Sequence, residues 1–123
     1  MMPVDGQLWV EPVGGLIVAR VRGQPTEQLL RECQDRVLQI ARDRKDAAIH
    51  RVLYDALEME SPPVDVPLAQ RELDERLRDI RLRRAIVVPN TRLAYLARLA
   101  FGEGDYRVFY SDIAAAIVWL SEP

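Results

Sequence analysis

The sequence has few of the residues that metal, redox and covalent-catalysis sites require. Its 123 residues include one cysteine and one histidine, so an internal disulfide and a cysteine-based zinc site are both excluded. Cys33 also lies in an apolar helical stripe beside Glu32 and Asp35, which predicts an unreactive thiol. No glycine-rich run leads from a strand into a helix, and no serine stands in a nucleophile elbow. These absences predict a protein that is not an enzyme and that holds neither a metal nor a cofactor.

Long hydrophobic runs and an excess of one charge are also missing. No apolar stretch approaches the ~20 residues needed to cross a bilayer, and the opening MMPVDGQLWVEP lacks the basic region and apolar run of a secretory signal. The 17 basic and 19 acidic residues give a net charge of −2, which offers no field to hold a nucleic acid. We therefore expect a cytoplasmic protein with no nucleic-acid partner. Its 49% hydrophobic and 29% charged content predicts one folded domain over residues 1–123.

Strand and helix patterns alternate along the chain, which predicts an α/β fold. Two short runs, Gln7 to Glu11 and Leu16 to Val21, flank a Pro/Gly turn and predict a hairpin whose first strand is at the sheet edge. Thr26 is predicted to cap the first helix, Asp65 the second, Asn90 or Thr91 the third, and Ser111 the fourth. Later elements are predicted at 50–55, 67–80, 84–88, 91–101, 106–110 and 111–120. The order is β-β-α-β-α-β-α-β-α, which gives a mostly parallel sheet with one antiparallel edge strand.

The connection after the third strand is predicted to be the longest loop. We expect eleven irregular residues from Ala56 to Val66, because the Pro-Pro pair within them fits neither a helix nor a central strand. Connections of this length in compact domains often bind ligands. The apolar residues Leu57 and Met59 either form a small core of their own or cover a groove beside the third helix.

The third helix is apolar around most of its circumference. Leu93 and Leu96 can face the sheet, yet Tyr95, Leu99 and Phe101 lie off that stripe. Such a helix is either deeply buried or makes a second apolar contact. The long loop, a protein partner, a second copy of the chain, a small apolar ligand or a membrane surface could each supply that contact.

The carboxyl ends of the strands form the other candidate surface. Open α/β sheets bind ligands there, and this edge carries Asp55, Asn90, Thr91 and Ser111. Helix capping alone would account for Thr91 and Ser111, whereas Asp55 either caps backbone amides or contacts a ligand. Together with the loop and the third helix, the predicted ligand-binding residues are Asp55, Leu57, Met59, Asn90, Thr91, Tyr95, Leu99 and Ser111.

One basic cluster stands out, formed by Arg76, Arg78, Arg81, Arg83 and Arg84. Acidic residues are interleaved with it, which predicts a solvated, ion-paired face, with Asp74 and Arg78 as an i,i+4 pair on the exposed side of a helix. A nucleic-acid site would want aromatic residues between the arginines, and there are none. A contact with anionic lipid stays open.

Three stretches resemble a known family. They are VLYD at 52–55, RRAIVV at 83–88 and RVFYSDIAAAIVWL at 107–120, and with the element order they resemble the SpoIIAA-like family of the STAS-domain fold over nearly the whole chain. The resemblance implies a cytoplasmic, non-enzymatic module that binds a protein partner or a small apolar or lipid-like ligand. A homodimer and a peripheral membrane contact are further candidates that the resemblance leaves open.

The same resemblance supplies an alternative function. The anti-sigma-factor antagonists of this group carry a phosphorylated serine at the start of the helix after the third strand, in an Asp-Ser-Ser-Gly-like run. Ser61 lies in the corresponding loop here, followed by Pro62 and without a glycine. The alternative is therefore a STAS-type regulatory protein controlled by phosphorylation of Ser61.

Overall fold

The computed structural model describes residues 6–75, 79–102 and 104–123. In this part of the chain there are five strands and four helices. The strands are β1 Gln7–Val13, β2 Leu16–Gly23, β3 His50–Met59, β4 Leu82–Val88 and β5 Tyr106–Tyr110. The helices are α1 Glu27–Asp43, α2 Asp65–Asp74, α3 Thr91–Phe101 and α4 Ile113–Ser121. The predicted element order is confirmed.

The strands form a single sheet whose spatial order follows the chain, β1-β2-β3-β4-β5. β1 pairs with β2 antiparallel, and the other three pairings are parallel. The hairpin turn contains Gly14 at φ +57°, a backbone conformation that favours glycine. The predicted antiparallel edge strand is confirmed.

The alternation of side chains along the strands produces two unequal cores. Ile17, Val52 and Ile86 point to the face that α1, α2 and α3 cover, which we call the three-helix face. Leu53 and Val87 point to the opposite face, where α4 packs and buries Leu120; we call this the α4 face. Three helices on one side and one on the other place the larger core beneath α1, α2 and α3.

The predicted eleven-residue loop is wrong, because β3 continues to Met59. At a register shift between Arg20 and Arg22, β3 has one residue more than β2, and the two strands then keep pairing with Arg22 opposite Glu58 and Gly23 opposite Met59. Pairing with β2 therefore keeps residues 56–59 in a strand, although their sequence shows no clear strand pattern. The irregular connection shrinks to residues 60–64.

Helix capping agrees with the sequence at two helices and differs at the others. Thr26 accepts a hydrogen bond from the Leu29 amide at 3.1 Å, as predicted. Asn90, one of the two residues predicted as alternatives, caps α3. Asp65 is inside the first turn of α2, and no side chain caps that helix.

Ser111 does not cap α4, so that prediction is wrong. Asp112 accepts a hydrogen bond from the Ala115 amide at 2.9 Å, whereas Ser111 adopts φ +53° and its amide donates to the Val88 carbonyl at 2.9 Å. The chain leaves β5 through this left-handed residue, which moves the cap one position later.

The basic cluster is not a uniformly solvated face. The alternation of β4 turns Arg84 to the same side as Ile86 and Val88, and Arg84 is only 5% exposed. Its guanidinium donates to both carboxylate oxygens of Asp74, with 3.1 Å to Oδ2, so Asp74 is not a residue of the exposed side. Its predicted partner Arg78 lies outside the described residues.

Candidate functional site

A cavity of about 80 Å³ lies between the three-helix face and the helices that cover it. The strands contribute Ala19, Tyr54, Ala56, Ile86 and Val88 to its lining. Helix α3 contributes Leu93, Leu96, Ala97, Ala100 and Phe101. We call this space the α2 cavity, because α2 lines its outer side.

Small side chains leave this space open. Ala19 and Ala56 on the sheet face Ala97 and Ala100 on α3 across the cavity, and an alanine leaves unfilled the volume that a leucine or valine would occupy. Protein cores are otherwise packed with few voids larger than a water molecule. A cavity of this size is therefore a feature of the sequence at these four positions.

The outer side of the cavity is lined by Pro62 of the 60–64 connection and by Pro67 and Gln70 of α2. Helix α2 packs against α1 and α3, so it bridges the groove between those two helices. Pro67 and Gln70 are the most buried residues of α2, and they lie three apart on one side of the helix. The helix that follows the Pro-Pro pair, together with Pro62, therefore covers the groove, a role that the sequence offers to Leu57 and Met59 as one of two alternatives.

The interior is nearly all apolar and carries no free charge. Burial raises the pKa of the Cys33 thiol to about 12, so the thiol stays protonated. Burial also raises the pKa of Tyr54, whose hydroxyl donates to Oε1 of Gln34 at 3.2 Å. Asp55 lines the cavity, but its carboxylate accepts from the Leu57 amide at 3.1 Å and lies 4.0 Å from Nε of Arg20. Neutral groups therefore determine what this space can hold.

Gln70 is the polar residue that sequence reasoning missed. Its side chain is 6% exposed, and its Oε1 is buried without a hydrogen-bond partner in the described structure. In the sequence Gln70 is one polar residue among many in this helix, and the apolar residues Val66, Ala69 and Leu73 mark a different stripe. Its spacing of three from Pro67 is the only local signal that places it on the covered side.

The structure brings together two of the eight predicted ligand-binding residues at the cavity, Asp55 and Met59. Leu57 packs instead in the core of the α4 face, because it lies one strand position beyond Ala56. The remaining predicted residues are placed elsewhere. Ser61, the predicted phosphorylation site, is exposed in the 60–64 connection.

At the carboxyl ends of the strands, the predicted polar residues either cap a helix or are exposed. Asn90 accepts a hydrogen bond from the Leu93 amide at 2.9 Å and begins α3, and Thr91 is the exposed first residue of that helix. Ser111 is exposed as well. These side chains do not reach the α2 cavity.

The apolar residues of α3 that lie off its sheet-facing stripe are largely covered by other parts of the described chain. Phe101 is 9% exposed and contacts the rings of Tyr54 and Tyr106, with centroids 5.4 and 5.7 Å apart. Leu99 packs against the core of the three-helix face, whereas Tyr95 stays half exposed. Helix α2 and β5 thus supply most of the second contact that this helix needs.

Within residues 6–75, 79–102 and 104–123, no three histidine, cysteine, aspartate or glutamate side chains gather closely enough to hold a metal ion. The helices in the same residues are all too short or too polar to cross a bilayer.

Solved structures resemble the chain over almost its whole length. An anti-sigma factor antagonist from Mycobacterium paratuberculosis superposes with a TM-score of 0.66 at 13% identity, covering 96% of each chain. An uncharacterised protein of the DUF3478 family with a SpoIIAA-like fold, from Shewanella loihica, gives a TM-score of 0.67 at 17% identity, covering 98% of this chain and 99% of the other. No family model and no curated protein sequence matches.

Identities of 13% and 17% show a shared fold rather than a shared activity. Both superpositions cover at least 96% of each chain, so the likeness extends over nearly the whole fold. The chain has the SpoIIAA-like fold of the STAS group, as its sequence patterns predict.

Proposed function

We propose that this chain is a non-enzymatic, cytoplasmic regulatory module that takes a small apolar ligand in the α2 cavity. The observation that carries the proposal is the cavity itself, about 80 Å³ of almost entirely apolar space inside the larger core. Apolar cavities of ~150 Å³ bind benzene or xenon. A space about half as large suits a three- or four-carbon group, either free or as the end of a lipid chain.

The arrangement around the cavity supports a regulatory role. Helix α2 covers the cavity and presents the exposed residue Leu68, and the 60–64 connection before it presents the exposed residue Val64. An occupant that contacts α2 from the inside favours one position of this helix over others, so it alters the outer surface that a protein partner would meet. One structural relative is named as an anti-sigma factor antagonist, which is a protein that acts on another protein.

Xenon is the sharpest probe of the cavity, because it binds apolar space without needing a polar partner. We expect saturable xenon-dependent shifts in the methyl NMR signals of Ile86, Val88 and Leu93. Ala97→Leu places a larger side chain in the cavity and should abolish those shifts. Ala114→Leu makes the same chemical change at an exposed position of α4 and should leave them intact.

Shifts that do not saturate, or that persist unchanged in Ala97→Leu, would reject the cavity as a binding site. Native mass spectrometry of the purified chain distinguishes a free small molecule from a lipid chain by the mass of what dissociates. Release of a molecule of the same mass, in the same amount, from Ala97→Leu and from the unaltered chain would place any bound lipid elsewhere.

Phosphorylation of Ser61 is the second candidate, and the exposure of this serine favours it. The next residue, Pro62, is buried and lines the cavity, so a phosphate on Ser61 would act beside the cover. Ser61→Asp should change xenon affinity or the binding of a protein partner, whereas Ser121→Asp at the exposed end of α4 should change neither. Identical behaviour of the two variants would remove this candidate.

A further inference from the structure

Gln70, which lines the α2 cavity, has one buried polar atom whose bonding capacity is unused. Gln70 Oε1 is shielded from solvent and has no hydrogen-bond partner in the described structure, and Gln70 lines the cavity beside Pro67. Leaving a buried acceptor without a donor costs free energy, and buried polar groups in folded proteins are nearly always satisfied. A donor from outside the chain would satisfy this one.

The polar groups nearest in the core are already engaged with one another. The Tyr54 hydroxyl donates to Gln34 Oε1 at 3.2 Å, and Gln34 Nε2 donates to Asp74 Oδ1 at 3.3 Å. Arg84 donates to both oxygens of the same carboxylate. This chain of hydrogen bonds ends in the Arg84–Asp74 ion pair. One donor of that pair, Arg84 Nε, is buried without a partner in the described structure, but Arg84 does not line the cavity.

The character of the lining limits which donor can enter. The lining residues include no lysine, arginine or histidine, so an anionic head group would be buried without a counter-charge. A cation would likewise lose its hydration against apolar walls, since the carboxylate of Asp55 is paired with Arg20. A neutral hydroxyl group avoids both costs and offers the missing donor.

We propose that the α2 cavity selects small neutral alcohols, with the alkyl group among Ala56, Ala97 and Ala100 and the hydroxyl donating to Oε1 of Gln70, whose amide turns toward the hydroxyl as the ligand enters. This inference rests on the proposed function, because it assumes that a ligand occupies the cavity. It adds the chemical class of that ligand and the residue that recognises it. Gln70 thereby becomes a specificity-determining residue rather than an unexplained defect of the core.

The test compares small molecules of similar length that differ in their polar group. We would titrate 1-butanol, its isomer methyl propyl ether, and butyrate against the chain, following the methyl signals of Ile86 and Leu93. One neutral hydrogen bond predicts roughly threefold to tenfold tighter binding of 1-butanol than of the ether. Butyrate should produce no saturable shift.

Gln70→Met removes the acceptor while keeping the length of the side chain. We expect it to bind 1-butanol and the ether equally, with the ether affinity unchanged from that of the unaltered chain. Gln39→Met, at an exposed position of α1, is the matched control and should keep the preference for 1-butanol.

The other outcomes would contradict the choice of ligand, the role of Gln70 or the proposed function. Equal binding of 1-butanol and the ether, or tighter binding of the ether or butyrate, would overturn the alcohol proposal and leave the cavity as a general apolar site. The same preference in Gln70→Met as in the unaltered chain would overturn the role of Gln70. A chain that binds xenon, 1-butanol and the ether in none of these titrations would overturn the proposed function together with this inference.

Discussion

Two buried side chains show how single residues set the properties of the larger core. Arg84 is 5% exposed and has a carboxylate partner, Asp74, on α2, while Cys33 is 3% exposed and lines the cavity. Both keep one protonation state through the neutral pH range, the arginine charged and the thiol neutral. Their environments therefore decide how the fold responds to substitution and to alkali.

Removing one partner of the Arg84–Asp74 pair should be costly, because it leaves the other charge buried alone. We expect Asp74→Ala to lower the free energy of unfolding by about 3–5 kcal/mol, measured by urea denaturation. Glu32→Ala breaks the exposed ion pair with Arg36 and should cost less than about 1 kcal/mol. Adding Arg84→Met to Asp74→Ala should recover much of the loss; a double variant no more stable than Asp74→Ala would contradict this account.

The Cys33 thiol makes the fold sensitive to alkaline pH. Its pKa is about 12 in the folded chain against 9.0 for the unperturbed group, so between these values the unfolded state loses a proton that the folded state keeps. Stability therefore falls as the pH rises above 9, by about 1.4 kcal/mol between pH 8 and pH 10. Cys33→Ala should lack this part of the decline, and parallel stability curves for the two proteins would refute it.

Helix ends show how neighbouring elements are joined. Helix α4 begins at Asp112 after the left-handed Ser111, and its last carbonyls accept hydrogen bonds from two strand arginines. Arg51 donates to the carbonyls of Leu120 and Glu122, and Arg83 donates to the Glu122 carbonyl at 2.9 Å. Helix α2 has no side-chain cap at its start, so the two short helices are held very differently.

Opposite substitutions at the start of α4 would show which residue is the cap. Ser111→Gly removes the penalty of a left-handed residue with a side chain, and it should raise the free energy of unfolding by about 1 kcal/mol. Asp112→Ala removes the cap and should lower it by about 1 kcal/mol. Thermal or urea unfolding measures both, and a Ser111→Gly variant destabilised as much as Asp112→Ala would restore Ser111 as the cap.

At the scale of the whole molecule, the sheet is covered unequally. Helices α1, α2 and α3 cover one face, and α4 packs on β3, β4 and β5 of the other. Trp9 and Val13 of β1 stay exposed, 45% and 49% respectively. Cross-strand ion pairs such as Arg22–Glu58 extend over the surface beside them. The three-helix face contains the cavity, and α2, which packs against α1 and α3, covers its outer side.

This unequal cover predicts unequal stability within the fold. We expect the amides of α2 to exchange with deuterium faster than those of α4, although the helices have 10 and 9 residues. The reason is that α4 is capped and its end is bound by arginines, whereas α2 covers a cavity. Added 1-butanol should slow exchange in α2 and leave α4 unchanged, measured by peptide-level mass spectrometry. Equal exchange of the two helices would contradict the picture of α2 as a cover.

Much of the architecture follows from local patterns in the sequence. Alternating apolar runs at 16–21 and 84–88, the Thr26 cap and the apolar spacing of α1 each specify a strand or helix with its neighbours in the chain alone. The order of these elements then restricts the topology, because parallel strands need helical crossovers. For this reason the SpoIIAA-like fold was predictable without coordinates.

Only the tertiary structure determines that a cavity forms and that Gln70 is buried beside it. β3 continues to Met59 because β2 offers a ladder partner, and Gln70 is buried because α2 crosses the groove between α1 and α3. The alanines at 19, 56, 97 and 100 come from three different elements, so no local window shows that they meet. Periodicity assigns each residue to a face of its own element, but empty volume arises only where the faces of several elements come together.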